Sequence, residues 1–244
     1  MRDYLISGGS SGIGLELCGN LGKRAGTHLI IITRDRTRAA AAVKKKVGAD
    51  TALDFIEADL ADPGTGAELH KLLDQALQRR PAAFIHSAGL ALPCALRKGD
   101  SGKVQQLLQV NTLSFMEITR WLMLHHHNAG PCKVVALSAQ AARHSLPNME
   151  LYAVAKAALE AYVRQAAPAL LPLGISIYAL APGFVDTPMA RSSPLWQLHP
   201  DFARYLTDSG LQPQGLIPPE AVADFILYLL DKPGPYGSGG IIEL

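Results

Sequence analysis

The sequence predicts an α/β protein built on a doubly wound parallel sheet of about seven strands, with helices on both faces. Three observations predict it. Short β-branched runs alternate with longer segments of helical period along the whole chain. The runs are apolar at nearly every position, as strands covered on both faces must be. No internal repeat, low-complexity tract or linker divides the 244 residues, so 1–244 reads as a single domain.

Taken in order, the strand at 4–7 runs directly into a glycine-rich turn, and a helical pattern at 15–24 follows, closed by Gly26. The β-branched run at 28–33 is the second strand. The alanine-rich stretch at about 39–47 is a helix whose Lys44, Lys45 and Lys46 form a solvated face. A strand at 52–57, a helix at 69–78, a strand at 83–86 and a long helix at 104–124 continue the alternation, before a strand at 133–137. The next helix, at 152–167, is expected to end just before Pro168, because proline lacks the N–H a helix needs and clashes with the preceding turn. A strand at 175–180, a helix at 220–230 and a strand at 240–244 complete the pattern. The Pro- and Gly-rich stretches 211–219 and 233–240 read as loops over the one domain.

Composition narrows the function. A net charge of +2, with the basic residues spread along the chain, is too small for a nucleic-acid footprint. Cys18, Cys94 and Cys132 are far apart and odd in number, showing neither a disulfide framework nor a zinc pattern, which suits a reducing cytoplasm. The first strand begins too early to leave room for a signal peptide, and no apolar run approaches the roughly 20 residues of a membrane span. The run His125, His126, His127 cannot converge on one metal ion, since consecutive helical residues fan out by about 100° each. It reads as a polar helix end.

The most informative pair is Tyr152 and Lys156. An i, i+4 pair shares one helical face with β-carbons about 5–6 Å apart, so the ammonium can act on the phenol oxygen. A free tyrosine, with a pKa of about 10, is a poor proton donor or acceptor at neutral pH. A fixed cation is expected to stabilise the phenolate and lower that value. By itself the spacing is more readily a solvated helix edge, and its company with other motifs gives it meaning.

The turn after the first strand reads Ser7-Gly8-Gly9-Ser10-Ser11-Gly12-Ile13-Gly14. Its glycines allow a tight turn and close approach to a pyrophosphate, which the unpaired N–H groups of the following helix would meet. The G-x-x-x-G-x-G spacing differs from the G-x-G-x-x-G dinucleotide fingerprint. A P-loop is excluded because no Gly-Lys-Ser/Thr ending is present.

Together the turn and the Tyr152/Lys156 pair resemble the short-chain dehydrogenases/reductases, a family with a single Rossmann-type domain, over essentially the whole chain. Further family landmarks fall in order: Asp59-Leu60, Ser87-Ala88-Gly89, Asn111, and Pro182-Gly183-x-Val185-x-Thr187. The resemblance implies that Gly8, Ser10, Ser11, Gly12, Ile13 and Gly14 hold the cofactor pyrophosphate. Asp59 and Leu60 would bind the adenine, and Ala88 and Gly89 would let the cofactor pass over the fourth strand. Pro182, Gly183, Val185 and Thr187 would hold the nicotinamide carboxamide. Tyr152 would be the acid/base, Lys156 would bind the ribose, and Asn111 would orient a water in a proton relay. A homodimer or homotetramer is also implied, with no tail after Leu244 to reach a neighbour's site.

Cofactor choice turns on the end of the second strand. Thr33 stands where the family's NAD-binding acid would be, and Arg34 follows, a guanidinium suited to a 2′-phosphate. This favours NADP(H) over NAD(H), with Asp35 the group that would reverse the choice.

One position departs from the family. The serine expected thirteen residues before the tyrosine is Ala139. Ser138 could serve after a strand bulge; Gln140, His144 or Ser145 could supply the donor; or the site could lack it. Ser138 is the favoured reading. The segment 189–219, with Pro194, Leu195, Trp196, Leu198, Phe202, Tyr205 and Leu206, should either cover a moderately hydrophobic substrate or pack on the core. The expectation is an NADPH-preferring oxidoreductase acting on a small-molecule carbonyl or secondary alcohol. The alternatives are a nucleotide-binding scaffold or sensor with weak catalysis, and an isomerase or dehydratase step in biosynthesis.

Overall fold

The computed structural model describes residues 1–94, 96–125 and 130–244. Seven parallel strands form one sheet: β1 (Arg2–Ser7), β2 (Thr27–Thr33), β3 (Ala52–Glu57), β4 (Ala83–His86), β5 (Cys132–Leu137), β6 (Ile175–Ala181) and β7 (Ile241–Glu243), in the order β3-β2-β1-β4-β5-β6-β7. The chain order reverses between β1 and β4, where Ser7 lies opposite His86. A doubly wound sheet opens a crevice at such a point, beyond the carboxyl ends of its strands.

Alternation along each strand explains why the runs are apolar throughout. Leu5, Ile30, Ile32, Phe84, Val134 and Ala136 pack on one face against α3 (Thr65–Ala76), α5 (Ser114–Leu124) and α6 (Glu150–Leu170). Their neighbours Tyr4, Ile6, Leu29, Ile31, Ile85 and Val135 pack on the other, against α1 (Gly12–Gly22), α2 (Arg36–Lys44) and α10 (Pro219–Asp231). Each strand thus feeds two cores. Between α4 (Ser101–Leu108) and α5 the long helix expected at 104–124 widens into a π turn at Gln109–Leu113. The segment after β6 carries α7 (Pro188–Arg191), α8 (Pro194–Leu198) and α9 (Phe202–Asp208).

Two boundaries depart from the sequence reading. Helix α1 starts at Gly12 and ends at Gly22, while Gly26, with φ of +71°, makes the separate turn into β2. Helix α6 continues through Pro168 to Leu170. Only one backbone donor is lost there, in the last turn, and the fully buried Leu170 seats the continuation in the core. His125 stacks on Trp121 with centroids 4.2 Å apart and meets Asp74 at 3.0 Å, so it serves the helix end; His126 and His127 lie outside the described residues. No helix among the described residues is long and apolar enough to cross a membrane.

Candidate active site

The carboxyl ends of the strands open into one cleft of about 980 Å³. It joins the glycine turn, the ends of β2 and β4, the 138–149 loop, Tyr152, Lys156 and the segment after β6. At the turn the glycines are required by packing. A β-carbon on Gly8, where φ is +77°, would lie 2.5 Å from the Ala88 nitrogen, and one on Gly14 would lie 2.3 Å from the Gly8 carbonyl oxygen. Ser11 precedes α1 without a side-chain cap, so the first-turn N–H groups of the helix are left for an anion. Because the nearest atom, the Gly8 carbonyl oxygen, is backbone and cannot swing away, Gly14→Ala is expected to lower stability by about 1–3 kcal/mol and to weaken dinucleotide binding. Thermal melting and fluorescence titration with NADPH check the two effects separately.

At the end of β2, Asp35 lines the cleft beside Arg34 and Arg38. Its carboxylate caps α2, accepting from the Arg38 N–H at 2.8 Å. Arg34 and Arg38 both line the cleft, and among the described residues neither guanidinium has an acidic partner. Arg38 escaped the sequence reading. The Arg34-Asp35-Arg36-Thr37-Arg38 run was its only signal, because a helix start has to be known before Asp35 can be recognised as its cap.

Asp59 and Leu60 line the cleft beyond β3, and one Asp59 oxygen accepts from the Ala61 N–H at 3.0 Å. At the end of β4, the Ser87 N–H bonds the Ser7 carbonyl at 3.0 Å, which places Ala88 beneath Gly8. His86, which the sequence reading passed over, is fully buried, with Nδ1 2.8 Å from the Ser7 hydroxyl oxygen. Burial, aided by the nearby Lys156 charge, pushes its pKa down to about 3, so the ring is neutral at ordinary pH.

Asn111 sits in the π turn. Its amide donates to the carbonyls of Leu90 and Leu107, both at 2.9 Å, and its oxygen accepts from the Leu90 N–H at 3.2 Å. The side chain therefore ties the loop after β4 to the long helix. The Ser114 N–H reaches Gln109 rather than Val110, and the Ser114 hydroxyl takes over the Val110 carbonyl at 2.8 Å.

Tyr152 and Lys156 share a face of α6, with Nζ 5.6 Å from the phenol ring centroid. Lys156 is buried and donates to the Leu137 carbonyl at 2.7 Å. Burial pushes its pKa down to about 7, opposed by the negative charge of Glu160. Tyr152 keeps part of its surface open to the cleft, yet enough protein surrounds the phenol to raise its pKa above the ordinary value. This corrects the expectation that Lys156 lowers it. The ammonium is bonded to a carbonyl, and desolvation favours the neutral form of both groups.

Ser138 and Ala139 both line the cleft, and they differ in the partners of their side chains. Ser138 follows Ala136 on the face covered by α6, and its hydroxyl donates to Glu160 Oε1 at 2.8 Å. The hydroxyl is thus engaged by Glu160 at the cleft wall. Ala139 lines the cleft with an extended backbone, φ −159° and ψ 151°. Of the other candidates, Gln140 Nε2 donates to the Leu244 carbonyl at 3.1 Å, His144 meets Glu243 at 3.5 Å, and Ser145 is exposed at the cleft wall.

Pro182, Gly183, Val185 and Thr187 line the cleft beyond β6, and Thr187 caps α7. The loop is held by a residue the sequence reading missed, the buried Gln212. It accepts from the Phe184 N–H at 2.6 Å and donates to the Phe184 carbonyl at 3.1 Å. The following segment divides its apolar residues between two duties. Phe202 and Leu206 are buried, with Trp196 stacked on Phe202 at 4.5 Å. Met189, Leu195 and Leu198 face the cleft.

The sequence model of the family described as short chain dehydrogenase matches residues 3–198. An oxidoreductase of Bacillus subtilis (strain 168) named Uncharacterized oxidoreductase YmfI is 27% identical over 246 residues, spanning 100% of this chain and 97% of that protein. The (3R)-3-hydroxyacyl-CoA dehydrogenase of Canis lupus familiaris is 25% identical over 252 residues, spanning 98% of this chain and 93% of that protein. Among solved structures, a short chain dehydrogenase from Burkholderia cenocepacia J2315 in complex with NADP superposes with a TM-score of 0.84, at 23% identity, covering 100% of this chain and 95% of that one.

Proposed function

The chain belongs to the short-chain dehydrogenase family, and from that premise we propose that this NAD(P)-dependent oxidoreductase uses NADP(H) to interconvert a neutral, moderately hydrophobic carbonyl compound and its secondary alcohol. The observation that carries the reading is the single cleft joining the Gly8–Gly14 turn, the Arg34/Arg38 pair and the Tyr152/Lys156 pair. The residues fit a dinucleotide: β-carbons at Gly8 or Gly14 would fill the cradle, and the uncapped N-terminus of α1 suits the pyrophosphate. Asp59 and Leu60 would meet the adenine, and the 182–187 loop the carboxamide.

A nicotinamide dinucleotide held there would supply the hydride chemistry at the carbonyl carbon. Tyr152 gives its proton to the carbonyl oxygen, and Lys156 holds the ribose and supports the phenolate left behind. With its amide bonded to Leu90 and Leu107, Asn111 would steady the loop after β4 beside the proton relay. The apolar Met189, Leu195 and Leu198 would cover the substrate, making 189–219 a lid. Incubation with NADPH and a panel of ketones and 3-oxoacyl thioesters tests the proposal, and loss of NADPH absorbance is the expected result. The nucleotide-binding sensor with weak catalysis is favoured by one observation, Ala139 at the cleft wall, and tight NADPH binding without turnover across the panel would select it.

Cofactor preference has its own test. Two charge-assisted hydrogen bonds are worth about 1.5–3 kcal/mol each, so Arg34→Ala with Arg38→Ala should weaken NADPH by roughly 10²-fold or more. NADH binding should change little. Paired titrations with the two nucleotides measure the ratio.

A further inference from the structure

Beneath the Tyr152/Lys156 pair lies a charged network that the proposed reaction does not yet use. Glu160 is one helical turn beyond Lys156 on α6 and only 2% exposed. Its carboxylate accepts from the Ser138 hydroxyl at 2.8 Å, from Arg143 Nε at 3.0 Å and from Arg143 Nη2 at 3.2 Å, with Arg164 Nη1 at 3.8 Å. Arg143 also bonds Glu243 on β7, at the cleft rim where Glu243 meets His144. Lys156 is anchored to the carbonyl of Leu137, the residue immediately before Ser138. A buried carboxylate is costly unless paired, so the arrangement around Glu160 has to be held by specific geometry.

We propose that Glu160 is a positioning residue for the acid/base pair. Clamped by Ser138 and Arg143, it favours the ammonium form of Lys156 against the burial that opposes it, and fixes the turn that presents Ala139 and Gln140 to the substrate. The inference rests on the reading of Tyr152 and Lys156 as the proton-transfer pair.

The charges around Lys156 give the proposal its sign. Glu160 is the carboxylate that acts on it, and burial opposes that influence by pushing the amine down to about 7. Tyr152 from the same helix and His86 from the end of β4 are both held neutral, by desolvation at ordinary pH. Arg143 from the 138–149 loop and Arg164 from α6 are cations that draw on the same carboxylate. Removing the negative charge should therefore make Lys156 lose its proton at lower pH. Removing Arg143 should do the opposite, because Glu160 is then left to Lys156 and Arg164. A role in packing alone would not produce opposite shifts.

The experiment follows the Lys156 side-chain nitrogen by NMR through a pH titration of cofactor-free protein labelled in its lysines, the signal being assigned with Lys156→Arg. Glu160→Gln is expected to lower the midpoint by about one unit, a roughly ten-fold change in the charged fraction above it, and Arg143→Gln to raise it. In the reductase assay the alkaline limb of kcat/KM should move with each midpoint. Unmoved midpoints, or shifts of the same sign in both variants, would overturn the proposal. If Glu160→Gln does not fold, Arg143→Gln decides alone: a rise supports the proposal, and no rise sinks it. A wild-type protein that binds NADPH but reduces nothing would defeat the assigned reaction, while the NMR titration would still judge Glu160.

Discussion

Tyr152→Phe is expected to lower kcat by about 10²–10⁴-fold while leaving NADPH affinity nearly unchanged, because the substitution removes one proton-transfer group and little else. The ring keeps its place on α6 and its packing in the cleft wall; only the hydroxyl is lost. Lys156 keeps its bond to the Leu137 carbonyl, so the ribose site should survive. Steady-state turnover alongside a nucleotide titration separates the two quantities. A variant that turned over as fast as the parent would remove Tyr152 from the chemistry. So would a loss explained wholly by weaker NADPH binding.

Ala139→Ser is expected to raise kcat/KM, by up to about 10²–10³-fold, the value of one hydrogen-bond donor at a developing oxygen charge. The argument is geometric. Ala139 lines the cleft from an extended backbone, while the neighbouring Ser138 hydroxyl is already taken by Glu160. A hydroxyl added at 139 would enter the site without disturbing that bond. The control is Ala139→Cys, which fills the same position with a much weaker donor and should give little of the gain. No gain with any substrate that the parent reduces would mean that another group already holds the oxygen, with Gln140 and Ser145 the first to replace.

Much of the site was legible because its signals are local. The Tyr152/Lys156 spacing needs only the pitch of a helix, and the turn at Gly8, Gly12 and Gly14 needs only a strand before it and a helix after it. Arg34 after Thr33 was legible for the same reason, since β2 ends at Thr33 as its β-branched run predicts. Arg38, Gln212, His86 and Glu160 were not. Gln212 acts on Phe184, 28 residues away, and Glu160 on Ser138, 22 away. Neither pairing leaves a periodic trace in the chain.

By itself the sequence determined the sheet, its two covered faces and the order in which the landmarks reach one edge, because hydrophobic period and turn chemistry act within a few residues. It could state that Ser138 and Ala139 point to opposite sides, but not which partners each would meet. Only the tertiary structure decided that the Ser138 hydroxyl meets Glu160. Packing α6 against the face of Ala136 brings Glu160 to Ser138 and leaves Ala139 at the cleft wall, and it buries Lys156 deeply enough for desolvation to govern its charge. Partners contributed by distant segments, and the dielectric they create together, exist only once the chain has closed on itself.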